Sequence, residues 1–142
     1  MNFTIHALSR DYLEQHIERL ILLLHRNLND EYWSSQHFLT DLPGKWELSL
    51  FAQDKSKNIT GFLIASKKQS TTHIHKFVVD ISVQSSGLGT SLLNHLLTIT
   101  DDDLSLKVHL NNIRAIEFYK KNGFTMTDQT ETFCTMTLQR SA

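Results

Sequence analysis

The chain has 142 residues, 40% of them apolar, with 14 basic and 15 acidic side chains and a formal charge of −1. That length suits one compact domain across residues 1–142, and the balanced charge excludes the basic excess expected of a nucleic-acid binder. No run reaches about 18 apolar residues, so no membrane span is expected, and the lone Cys134 excludes an internal disulfide and fits a cytoplasmic location.

"FTIHAL" alternates and predicts a first strand. Ser9 can cap the helix that follows. Leu13, Ile17, Leu20, Ile21, Leu24 and Leu28 recur at steps of three and four, one face of an amphipathic helix over about residues 9–27. "NDEYWSSQHFLTDL" predicts a second, shorter helix, which Pro43 and Gly44 end. "WELSLFAQ" and "ITGFLIASK", joined by the polar "DKSKN", predict a hairpin. "HIHKFVVDISV" is a third and longer strand, with His73 and His75 on one face.

"VQSSGLGTSLLNHLL" then turns through two glycines into a helix carrying Leu88, Leu92, Leu93, Leu96 and Leu97. "LSLKVHL" is a strand, and "NNIRAIEFYKKNGF" a helix with Asn111 or Asn112 at its start and Gly123 at its end. "TFCTMTLQ" alternates as the last strand. The order β-α-α-β-β-β-α-β-α-β predicts an α/β domain with a mixed, largely antiparallel central sheet and helices on both faces.

A helix start presents unpaired amides and partial positive charge, so a phosphate can bind there without a lysine. Gly87 and Gly89 leave that approach open, and Ser85, Ser86 and Thr90 add hydroxyls. The stretch reads equally as a tight turn with no ligand. It lacks both the G-x-x-x-x-G-K-[ST] pattern of a nucleotide loop and the third glycine of a dinucleotide turn.

Two segments together carry a resemblance. "FVVDISVQSSGLGTSLL" resembles the Q/R-x-x-G-x-G/A core of the GCN5-related N-acetyltransferase (GNAT) family, with Gln84, Gly87 and Gly89 at those positions. "LKVHLNNIRAIEFYKKNGF" resembles the family's N-x-x-A-x-x-[FL]-Y-x-x-x-G-F segment through Asn112, Ala115, Phe118, Tyr119, Gly123 and Phe124. The resemblance implies acetyl-CoA as co-substrate, with no metal. It implies that the backbone of Ser85, Ser86, Gly87, Leu88, Gly89 and Thr90 holds the pyrophosphate, and that Phe77, Val78 and Val79, near a bulge, pair with the pantetheine arm. An amide at Val78 or Val79 would polarise the thioester carbonyl. Asn112 would contact the arm or position its helix.

By the same resemblance Tyr119 is the acid for the departing thiolate; the alternative is a core aromatic. His73 stands where one branch of the family has a glutamate base, and His75 is a second candidate; both also read as polar residues on a solvated strand. An H-x-H metal pair is set aside, because no third ligand is near. In the branch that acetylates protein N-termini the strand before the second segment reads "LEV", whereas this chain reads "LKV", with Lys107. Asp30, Glu31, Tyr32 and Trp33 offer charge and aromatic surface to a cationic amine. The expected partner is a small-molecule amine substrate, and the expected state is a monomer or homodimer. A protein lysine or N-terminus, or a module that binds acyl-CoA without turnover, is the alternative.

Overall fold

The computed structural model of the chain describes residues 2–26, 33–84 and 86–140. Among the described residues, thirteen elements are built on one seven-stranded sheet. Strand β1 (Phe3–Ala7) leads to helices α1 (Arg10–His25), α2 (Ser35–Leu39) and α3 (Lys45–Leu48). Strands β2 (Leu50–Asp54), β3 (Ile59–Lys68) and β4 (Thr71–Val79) follow, then a 3-10 turn over Ile81–Val83 and helix α4 (Leu88–Ile99). Strand β5 (Asp103–His109), helix α5 (Ile113–Lys121), β6 (Thr125–Gln129) and β7 (Phe133–Leu138) complete the order. The strands lie β1-β2-β3-β4-β5-β7-β6, and only β4 with β5 is parallel.

The leucine patterns decide which face each helix covers. Leu13, Leu20, Leu23 and Leu24 of α1 pack with Phe38, Phe62, Ile64 and Val78 on one face of the sheet. Leu88, Leu92, Leu93 and Leu96 of α4 pack with Leu63, Ile74, Leu104 and Leu106 on the other, where Ile116 and Tyr119 of α5 join them. Burying one such leucine side chain contributes about 2 kcal/mol, so each helix is held by its stripe more than by its own propensity. Helix starts follow the sequence: the Ser9 side chain accepts from the Tyr12 amide in α1, and the Asn112 side chain accepts from the Ala115 amide in α5.

Three elements depart from the sequence reading. In the described part of the predicted second helix, only Ser35–Leu39 is helical. "WELSLFAQ" does not form one strand: Gly44, at φ +69°, starts the helical turn Lys45–Leu48, and the strand begins at Leu50. Strand β6 was not expected. All five of its residues are exposed, so as a sheet edge it carries no apolar alternation to read.

At the end of β4, Asp80 is 6% exposed and sits 3.5 Å from the Arg19 guanidinium and 3.1 Å from that of Arg26, both on or beside α1. The Ser82 hydroxyl donates to the same carboxylate at 3.1 Å. These contacts clamp the strand end to α1 just before the glycine turn. Asp80→Asn leaves two guanidinium groups facing a neutral amide, and is expected to cost about 2 kcal/mol of stability. Urea unfolding checks this; an unmoved midpoint would show that the clamp adds nothing.

Candidate active site

β4 and β5 pair over four residues only, Thr71–Ile74 with Asp103–Leu106. Beyond them β4 stays on β3 and β5 stays on β7, so the two strands part. The local cause is a bulge. Ile64 pairs with Lys76 and Ala65 with Ile74, which leaves His75 as the extra residue. A bulge bends its strand and increases the twist. The opening is a cleft of about 1090 Å³ that reaches from Trp33 and His73 to the glycine turn and α5.

The backbone of β4 shows which groups face this gap. The Asp80 amide donates to the Thr60 carbonyl on β3 at 2.8 Å. The Val78 carbonyl comes within 3.0 Å of the point where a Cβ on Gly61 of β3 would stand. Strand alternation therefore turns the backbone of Phe77 and Val79 toward the cleft and that of Val78 toward β3. Phe77 and Val79 line the cleft and Val78 does not; its side chain is buried against α1. Of the Val78 and Val79 amides, that of Val79 faces the cleft.

The glycine turn closes one end. Gly87 has φ +90°, and the first intrahelical bond runs from the Ser91 amide to its carbonyl at 3.0 Å. The amides of Leu88, Gly89 and Thr90 precede that bond. The Ser86 hydroxyl is buried and has no hydrogen-bond partner. The Gln84 side chain donates to the Val79 carbonyl at 3.1 Å and ties the turn to the strand. The Leu88 side chain lies in the core, so only its backbone is available. Gly89 has a second duty that the sequence did not reveal: a Cβ there would stand 3.1 Å from Phe118, so the glycine lets α4 approach α5. Ser85 lies outside the described residues.

Helix α5 forms the facing wall. Tyr119, 9% exposed, packs against Phe77, Phe118 and Phe124 with ring centroids 6.1, 5.5 and 5.4 Å away. It borders the cleft, as does Asn112 at the helix start.

On the opposite face of the sheet, His73 and His75 come together with ring centroids 4.9 Å apart. His73 Nδ1 lies 2.8 Å from the Ser105 hydroxyl, and His75 Nε2 lies 2.6 Å from that of Ser66. Burial, with Lys68 and Lys107, holds His73 below the ordinary histidine range. Burial, then His73 and nearby lysines, pushes His75 down to about 4. Both rings are therefore neutral at pH 7.

Trp33 lines this end of the cleft and lies 6.3 Å from the His75 ring. Asp30, Glu31 and Tyr32 lie outside the described residues. The sequence reading missed Lys45, which is fully buried and donates to the carbonyls of Phe38 and Thr40 at 2.7 and 2.6 Å. Its ammonium stands over Trp46 and Trp33 at 4.8 and 6.0 Å, and burial lowers its pKa to about 8. The only signal was a lysine between two turn residues and a tryptophan. Ser66 and Ser105 had a weaker one, as small polar residues inside apolar strands. Among the described residues no group of three or more His, Cys, Asp or Glu could hold a metal, and no helix is long and apolar enough to cross a membrane.

The seven-stranded sheet is thus parted between its two parallel strands, with a glycine turn at one end of the gap. The Acetyltransferase (GNAT) family profile matches residues 6–124. The chain belongs to that family. It is similar to Ard1 from Thermoplasma volcanium, at 25% identity and TM-score 0.84 over 100% of both chains. It shares its fold with PaiA N-acetyltransferase from Thermoplasma acidophilum, solved in complex with coenzyme A, at 19% identity and TM-score 0.80 over 99% of this chain and 100% of that one. A peptidyl-lysine N-acetyltransferase, YjaB of Salmonella typhimurium, is 36% identical over 59 residues, 42% of this chain and 40% of the relative. The matches span less than half the length of the curated relatives.

Proposed function

We propose that the chain is an acetyl-CoA-dependent N-acetyltransferase that transfers an acetyl group to the primary amine of a small molecule, by direct attack in a ternary complex. The observation that carries this reading is the continuity of one cleft from the glycine turn, along the open edge of β4, to Tyr119 and the histidine pair. The start of α4, with Gly87, Gly89 and Thr90 lining the cleft, fits a diphosphate. The outward backbone of Phe77 and Val79 fits an extended amide-bearing arm, as an added strand would.

Acetyl-CoA supplies the acetyl group already activated as a thioester. The chain's own residues have four tasks. The Leu88, Gly89 and Thr90 amides hold negative charge at the helix start. The Val79 amide stabilises negative charge on a carbonyl oxygen. Tyr119 holds a phenolic proton for the leaving sulfur. His73 accepts the proton of the amine. It suits that task better than His75, whose low pKa makes it a poor acceptor.

The reading is tested by thiol release with a panel of amines. Thermal stabilisation by acetyl-CoA without turnover of any amine would support the non-catalytic module instead. A lysine-containing peptide belongs in the panel, because the peptidyl-lysine relatives favour a protein acceptor as the second reading.

His73 gives the reading a pH signature. Its pKa is lowered by burial and neighbouring lysines, so the base form prevails at neutral pH and is lost as pH falls below the ordinary histidine range. His73→Ala is expected to lower kcat/KM about 100-fold near pH 7.5. The same change removes the acidic limb of the wild-type profile. A variant whose pH profile overlays the wild type assigns the proton to another group.

A further inference from the structure

Two serines flank the histidine pair. His73 is paired in register with Ser66 on β3 and with Ser105 on β5. Alternation puts these three side chains on one face of the sheet: Ala65, Ile74, Leu104 and Leu106 turn into the core beneath α4, and their neighbours turn the other way. The bulge then divides the two hydroxyls. His75, the extra residue, meets Ser66 through its Nε2 at 2.6 Å, and His73 meets Ser105 through its Nδ1 at 2.8 Å. The two rings thus turn opposite nitrogens to their serines. His73 and Ser105 also form the last pair but one of the β4–β5 seam, which ends at Ile74 and Leu106. One step further the strands have parted, and a ring placed there would find no residue of β5 in register. His73 stands at the edge of the cleft with a strand still behind it: it lines the cleft, and Ser105 is not among the described residues that do.

We infer that Ser105 is a positioning residue for the transfer: its oxygen accepts the Nδ1 proton of His73, which holds the ring against β5 and leaves the Nε2 lone pair to take the proton of the amine. The inference rests on the reading of His73 as the base given above. A neutral imidazole carries one proton on two nitrogens, and the partner of one nitrogen decides the role of the other. A ring free to exchange tautomers offers Nε2 as an acceptor for only part of the time. When the N–H bond of the amine breaks and the Nε2–H bond forms, the imidazolium still donates from Nδ1, so the Ser105 contact lasts through the step. On His75 the serine occupies Nε2 instead. The nitrogen left over there is Nδ1, the one beside its own Cβ, with less reach into the cleft.

The test uses the full chain and two readouts. The first is the two-bond proton–nitrogen spectrum of the histidine rings at neutral pH, with His73 assigned as the signal that His73→Ala lacks. Wild-type His73 is expected to carry its proton on Nδ1, and in Ser105→Ala the ring reverts to a mixture of tautomers. A wild-type ring protonated on Nε2 overturns the inference before any Ser105 variant is made. The second readout is thiol release at saturating acetyl-CoA, with spermidine, ethanolamine, L-lysine and a lysine-containing peptide as acceptors. For the acceptors that turn over, Ser105→Ala is expected to lower kcat about tenfold, with KM changed less than about twofold. Ser105→Thr keeps the hydroxyl and suits a strand, and restores most of that loss. Ser66→Ala removes the same kind of contact from the neighbouring ring and is expected to change kcat less than about twofold. Once His73 is alanine, Ser105→Ala has no further effect. Unchanged kcat in Ser105→Ala, an equal loss in Ser66→Ala, no rescue by threonine, or the same loss in the His73→Ala background overturns the inference. Wild-type turnover by His73→Ala overturns the assignment of the base, and the inference with it. Absence of acetyl-CoA stabilisation, or of turnover with every acceptor, overturns the acetyltransferase reading itself, and the inference with it.

Discussion

Tyr119→Phe is expected to lower kcat/KM for the acceptor by about 10²–10⁴-fold while leaving the binding of acetyl-CoA intact. The substitution removes one oxygen from a ring wedged among Phe77, Phe118 and Phe124, so the packing of α5 is preserved. What is lost is the proton the phenol holds at the cleft. Departure of a thiolate is helped by a donor within reach, and a phenylalanine offers none. Steady-state thiol release, with the melting temperature followed in parallel with and without acetyl-CoA, separates chemistry from binding. Full activity in a variant that binds acetyl-CoA normally would make Tyr119 a packing residue only.

Gly87→Val is expected to abolish stabilisation by acetyl-CoA. At a ligand concentration near 100 times Kd the wild-type chain gains about 2.7 kcal/mol, which raises Tm by roughly 5–10 °C for a domain of this size. Gly87 holds φ +90° at the start of α4. A β-branched side chain at that φ costs about 1–3 kcal/mol, and the turn relaxes away from the geometry that aims the amides of Leu88, Gly89 and Thr90. The variant should therefore melt lower and show no further shift with acetyl-CoA. A folded Gly87→Val protein with the wild-type shift would falsify the placement of a diphosphate at this turn.

Much of the frame was legible because it rests on local patterns. Leucines at steps of three and four marked α1 and α4, Asn112 and Gly123 bounded α5, and the sequences of β3 and β4 read as strands. The glycine turn and Tyr119 were legible as segments, and the resemblance joined them. The opening of the cleft was not. It depends on a one-residue slip between β3 and β4 at His75 and on where β5 stops pairing, and both are relations between strands. That slip also decides that Val79 faces the gap and that Lys76 shares a side with His75. Strand β6 lacked a signal because its residues are all exposed, and α3 was hidden because Trp46, Glu47 and Leu48 suit a strand as well as a helical turn.

The four-residue pairing of β4 with β5 has a consequence for the sheet as a whole. Everything from β1 to β4 forms one continuous hydrogen-bonded panel, and β5, β7 and β6 form another; they share a short seam at one end and diverge at the other. On the proposed reading the co-substrate lies along the divergent end and takes up the hydrogen bonds that a neighbouring strand would otherwise make. The chain thus encodes a sheet with one segment left out, and the molecule that supplies it is the one that brings the acetyl group.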